Sequence, residues 1–238
     1  MLTARTTALA AALEKLYRDR SADIPFHGWH HVHFVAKKAV EFARELDVDG
    51  ELVEAAALTH DLNYLVVTNS APEVGRDLRI SHLERAGFSA DEVEDVDSVV
   101  MQQDMARRTA DISDAAKALS DADTLFKALP VTPIVLANHY LIENGIEIGE
   151  LASRVVTQQR PLLEQGIYFY TDSARSKYLN WAHTNVELWE NVRSALGDED
   201  VKEMLEIARR MGVIHGGSVA VIDASAADNG PTPGDRGL

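Results

Sequence analysis

The chain has 238 residues, 46% of them apolar, with 38 acidic against 23 basic side chains and a net charge of −15. That length holds one good-sized core or at most two small domains, and the acidic balance excludes long nucleic acids and anionic membranes as partners gripped by a basic surface. With no cysteine, disulfides and thiolate metal sites are excluded as well.

Apolar residues recur at helical spacing nearly everywhere, and no segment alternates with a period of two. The first predicted helix, over 3–20, carries a short Ala/Leu stretch. Glu14 and Lys15 continue its helical period and no cleavage site follows, so it reads as part of the fold and not as a signal peptide. No run approaches the roughly 20 apolar residues of a membrane span. The expected location is the cytoplasm.

Helices are then predicted over 29–46, 50–64, 73–87, 90–103, 114–128, 132–144, 147–164, 172–195 and 199–211. Ser89 and Glu92 form the ends of a capping box, and Pro133 falls in a first turn where a missing N–H costs nothing. Gly145 and Gly197 follow helices as expected left-handed caps. The acidic run "ADEVEDVD" reads as a solvated face, while Trp181, Trp189, Tyr168, Phe169 and Tyr170 read as core. Residues 215–238, rich in Gly, Pro, Ala and Asp, read as a tail with little to bury. The expectation is one all-α domain, 1–214, followed by that tail.

Chemistry concentrates in three places. In "HGWHHVHFV" the second helix buries the stripe Val32, Val35, Ala36, Ala39, Phe42, Ala43 and Leu46. His31 lies about 75° from its centre at ~100° per residue, whereas His30 falls nearly opposite and His33 lies well outside. His31 is therefore the one aimed inward; His27, in the preceding loop, is a candidate guard of an entrance. In "AAALTHDLNY", His60 and Asp61 sit on a helix that is apolar around most of its girth. A buried carboxylate there needs a partner, either a bound cation or a hydrogen-bonded core neighbour. In "AKALSDADTLFKAL", Asp123 borders the stripe Ala115, Leu119, Ala122, Leu125, Phe126 and Leu129, and Asp121 points further from it. His31, His60, Asp61 and Asp123 together offer two nitrogens and two oxygens to one divalent ion, Mn²⁺, Fe²⁺, Zn²⁺, Ni²⁺ or Co²⁺.

The order H…HD…D, with its first His in "HxxxV" and its last Asp in "DADxL", resembles the HD-domain superfamily of metal-dependent phosphohydrolases, over about residues 25 to 195. "FYTDSARSKYLNWAHTNVELW" is similar to a T-x-x-(A/G)-R segment and final helix of those proteins. The resemblance implies a helical HD domain whose metal ligands are His31, His60, Asp61 and Asp123, with His60 and Asp61 also the catalytic pair. It implies a small anionic substrate, a phosphate ester or anhydride of the nucleotide kind. Thr124 stands where members usually carry Arg, and the two further histidines of dinuclear relatives are absent: His82 is misplaced, and Gln102 and Gln103 fall near the other position.

Anion-binding groups are expected in Arg175 and Lys177, near the start of the helix that follows "YFYT", and in Arg160. Arg107 and Arg108 read as loop bordering the mouth. The same residues also admit a hydratase or hydrolase of a small non-phosphate molecule, or a ligand-binding protein whose metal holds the helices together.

Overall fold

A computed structural model describes residues 3–214, and the tail expected from 215 onward lies outside the described residues. These residues form ten α-helices and no strand: α1 (Ala4–Asp19), α2 (Trp29–Glu45), α3 (Gly50–Thr59), α4 (Arg76–Arg85), α5 (Ala90–Gln103), α6 (Asp114–Ala128), α7 (Ala137–Asn144), α8 (Ile148–Glu164), α9 (Asp172–Leu196) and α10 (Glu199–Arg210). None is by itself long and apolar enough to cross a membrane.

The centre of the bundle is α2, packed between α6 and α3. Its Val32, Val35, Ala36, Ala39, Phe42 and Ala43 are buried as the apolar stripe requires. α5 closes against α3 and α6, α1 lies on α3, and α8 and α9 form a hairpin whose second helix reaches α6. Local chemistry sets several boundaries. Ser89 Oγ accepts from Glu92 N while Glu92 Oε2 accepts from Ser89 N, completing the capping box. Gly145 ends α7 in the left-handed region at φ 62°, which its missing Cβ permits. Gly197, expected to do the same for α9, instead stays at φ −82°.

Four expectations are corrected by tertiary packing. The helix predicted over 50–64 stops at Thr59; a 3₁₀ turn, Leu62–Leu65, follows. The helix predicted over 73–87 begins at Arg76, after a 3₁₀ turn Pro72–Gly75. The two turns touch so closely that a Cβ on Gly75 would lie 2.5 Å from Asn63 N, so only glycine fits there. Thr132–Leu136 is π-helical before α7 begins. Finally, Asp121 is completely buried, because α6 is covered on the face away from α2 as well.

The acidic run of α5 is not uniformly solvated either. Asp97 is buried and receives Arg79 Nε at 2.9 Å and Arg76 Nε at 2.9 Å. Burial works against its charged form, but the hydrogen bonds from Arg79 and Arg76 outweigh it and its pKa is lowered.

Candidate metal centre and cavity

His31 is fully buried on α2, as its place on the helical wheel requires, and His30 and His33 are exposed. His60 is the residue on which α3 ends, and Asp61 turns out of the helix at φ −103°, ψ 16°. In a continuing helix two adjacent side chains diverge by about 100°; the break lets this imidazole and this carboxylate converge. His31 Nε2 lies 3.1 Å from His60 Nε2 and 2.9 Å from Asp61 Oδ2, and His60 Nε2 lies 3.1 Å from the same oxygen. Asp123 stands beside them, with Oδ1 3.6 Å from His31 Nε2.

The His60 ring is oriented from behind: Nδ1–H donates to the Ala57 carbonyl at 2.8 Å, leaving Nε2 as the lone-pair nitrogen facing the cluster. Asp61 Oδ2 is buried and receives no hydrogen bond. Burial drives the His31 pKa down to about 4 despite the neighbouring Asp61, which keeps that ring in its neutral form. For Asp61, burial favours the neutral acid, but His60 and His31 outweigh it and hold the carboxyl well below its usual range. Two imidazole nitrogens and a carboxylate oxygen thus converge in a buried space where Asp61 Oδ2 has no hydrogen-bond partner, an arrangement that a shared cation would relieve. Two imidazoles and a carboxylate, with Asp123 adjacent, fit a first-row divalent metal.

The other side of Asp123 is held by Lys127, four residues on along α6, whose Nζ donates to Oδ2 at 2.8 Å. Burial opposes ionisation of Asp123, but Lys127 first and the two histidines next keep its pKa lowered. Asp121, by contrast, takes no part. Its Oδ1 accepts from Tyr170 N and its Oδ2 from Thr171 N and Thr171 Oγ1, at 2.7–2.8 Å, tying α6 to the start of α9.

No protein-family model matches the sequence, and no curated protein does. Among solved structures, the crystal structure of a structural-genomics target from Lactobacillus plantarum matches with a TM-score of 0.61 at 18% identity, over 82% of this chain and 96% of that one. What the two share is the fold.

A cavity of about 390 Å³ opens beside the cluster, with His60, Asp61 and Asp123 in its wall and His31 behind them. Tyr64, Tyr140 and Trp189 give it aromatic surface, and Leu151 and Val155 give it aliphatic surface. Its cations are Lys127 and Arg107, and Arg107 also pairs with Glu73.

The three cations expected to bind substrate lie elsewhere. Arg175 caps its own chain: Nε donates to Phe169 O at 2.9 Å and Nη2 to Gly166 O at 3.4 Å. Arg160 pairs with Glu190, and Lys177 is exposed. The reason is that the start of α9 already holds anions of the protein itself, Asp121 at Thr171 and Glu45 at Ser173 N. Lys127 is the cation whose place the sequence signals, since i, i+4 spacing puts it on the same face of α6 as Asp123. Arg108, buried, donates to Thr124 Oγ1 at 2.6 Å and to Tyr168 O at 3.0 Å.

Proposed function

We propose that this protein is an HD-type, divalent-metal-dependent hydrolase acting on a small phosphate ester or anhydride, with a nucleotide as the leading substrate class. The observation that carries the reading is the convergence of His31 Nε2, His60 Nε2 and the unpartnered Asp61 Oδ2 next to a cavity that also contains Lys127. His31, His60, Asp61 and Asp123 would hold the ion, and the Nδ1–H bond of His60 to Ala57 O presets one ligand. Bound there, a divalent ion supplies Lewis acidity toward water and neutralises phosphoryl charge. Lys127 adds a fixed positive charge at the wall, and the aromatic surfaces of Tyr64, Tyr140 and Trp189 suit a ring-bearing body.

The test is the metal content of the protein as purified, together with turnover of nucleotides and generic phosphate esters. One equivalent of a first-row divalent metal and release of inorganic phosphate are expected. A second reading, hydration or hydrolysis of a neutral small molecule, draws support from the cavity's cations both being paired already. Metal-loaded protein that hydrolyses no phosphate compound but turns over amides or nitriles would favour it.

A further inference from the structure

His27 is an imidazole of "HGWHHVHFV" that the metal centre does not use. It precedes α2, is 5% exposed, and lines the same cavity as His60 and Asp61. Its ring centroid lies 5.6 Å from that of His31, yet it is outside the group of converging ligand atoms. On one side, Nδ1 meets Oε1 of Glu143, a residue of α7 whose side chain has no exposure to solvent. The other oxygen of Glu143 accepts the main-chain N–H of Phe26 at 2.8 Å and of His27 at 3.1 Å. Tyr64 stacks on the ring, with centroids 3.8 Å apart and planes 27° from parallel.

The ring is thus fixed by a carboxylate, an aromatic face and its own main chain. An ionised carboxylate only accepts hydrogen bonds, so Nδ1 carries the proton directed at Glu143. The nitrogen left for whatever occupies the cavity is Nε2, with its lone pair. A histidine whose Nδ1–H is held by a buried carboxylate has both its tautomer and its orientation set for proton acceptance at Nε2.

We propose that His27 is the proton acceptor of the reaction and Glu143 its positioning residue; the inference rests on the phosphohydrolase reading above. As the oxygen of water bonds to phosphorus, one of its protons passes to His27 Nε2. The bond from phosphorus to the ester oxygen breaks, with its electron pair leaving on that oxygen. The departing oxygen takes the proton from the imidazolium, giving an alcohol and inorganic phosphate and restoring neutral His27. Between the two transfers the positive ring lies against the Glu143 carboxylate.

The decisive variant is His27→Asn, whose amide N–H takes the place of Nδ1 against Glu143 while Nε2 is deleted. With the protein carrying the metal it is purified with, and with p-nitrophenyl phosphate and a nucleoside monophosphate as probes, kcat should fall about a hundredfold or more. KM and metal content should stay at the wild-type level. Long-range proton–nitrogen spectra should show His27 of the wild type as the Nδ1–H tautomer, with and without metal. Glu143→Gln should mix the tautomers and lower kcat, and Glu143→Asp should restore part of both. His27→Asn with wild-type kcat overturns the acceptor role and leaves the hydrolase reading standing. Metal lost from His27→Asn overturns it too, by making His27 a ligand. An Nε2–H tautomer in the wild type overturns the positioning by Glu143. Wild-type protein that holds metal yet hydrolyses neither these esters nor the anhydride of a nucleoside triphosphate overturns the hydrolase reading, and with it the acceptor role.

Discussion

Asp97 and Asp61 are both carboxylates taken largely out of water, and their surroundings could hardly differ more. Around Asp97, between α4 and α5, Arg79 and Arg76 supply donors to both oxygens, and Arg79 itself is fully buried. Around Asp61, the nearest polar atoms are the two imidazole Nε2 atoms, and Oδ2 receives no hydrogen bond. Each carboxylate has its pKa lowered against the effect of burial, so ionisation alone does not separate them. Donor supply does. A buried carboxylate with arginine on both oxygens is complete and holds helices together; one whose buried oxygen faces only imidazole nitrogens leaves a place for a cation.

The largest effect should come from breaking the unfinished region. His31→Ala should abolish metal binding, beyond the ~10–100-fold change that outer partners of a ligand control. His30→Ala, on the exposed side of the same helix, should leave metal content unchanged. Elemental analysis of the two purified variants checks the contrast, and equal losses would mean that the two imidazoles share the site.

Breaking the finished region should do the reverse. Asp97→Ala leaves the buried Arg79 guanidinium with only distant contacts to Pro72 O, at 3.5 Å. Losing one partner of a buried pair typically destabilises by about 3–5 kcal/mol. Urea unfolding should show a loss of that size while the folded protein still binds metal. A variant that loses metal but not stability would merge two regions that the structure keeps apart.

Two cations sharpen the same distinction at smaller scale. Lys127→Met should lower kcat/KM for an anionic substrate roughly ten- to a hundredfold, the worth of one hydrogen bond to a charged group. Arg175→Ala should leave kinetics at the wild-type level and reduce stability by about 0.5–1.5 kcal/mol, since its bonds go to the carbonyls of Phe169 and Gly166. Parallel kinetics and thermal melts on both variants decide whether substrate charge is met at α6 or at α9.

The smallest effect concerns the outer ion cluster that joins α1, α3 and α5. The Ser89 main-chain N–H first, and Arg5 next, lower the Glu92 pKa to about 2. Because the folded value lies below the ordinary one, this carboxylate stabilises the fold at neutral pH. Its contribution shrinks as pH falls from the usual carboxylate range through about 2. Arg5→Ala should therefore lower stability slightly near pH 7 and leave it almost unchanged near pH 2, which flattens the acid side of the profile. Denaturation midpoints measured across pH 2–5 provide the check.

Much of this molecule is legible in its sequence, for reasons that stay within one element. The 3.6-residue period marks nearly every helix, and on α2 it separates His31, which is buried, from His30 and His33, which are exposed. The capping box of α5 and the left-handed Gly145 follow from local hydrogen bonding and from the missing Cβ. These features depend on residues a few positions apart.

Partners drawn from distant segments are another matter. Nothing near Asp121 in sequence announces that both its oxygens are taken by Tyr170 and Thr171, nor that Arg108 covers Thr124. The same holds for His27 and Glu143, 116 residues apart. The sequence by itself determined an all-helical chain and which face of α2 turns inward, because periodic burial is a property of a single helix. Only the tertiary structure decided which buried charges are already satisfied and which still face a cavity, because hydrogen bonds act over about 3 Å and it is packing that chooses the neighbours.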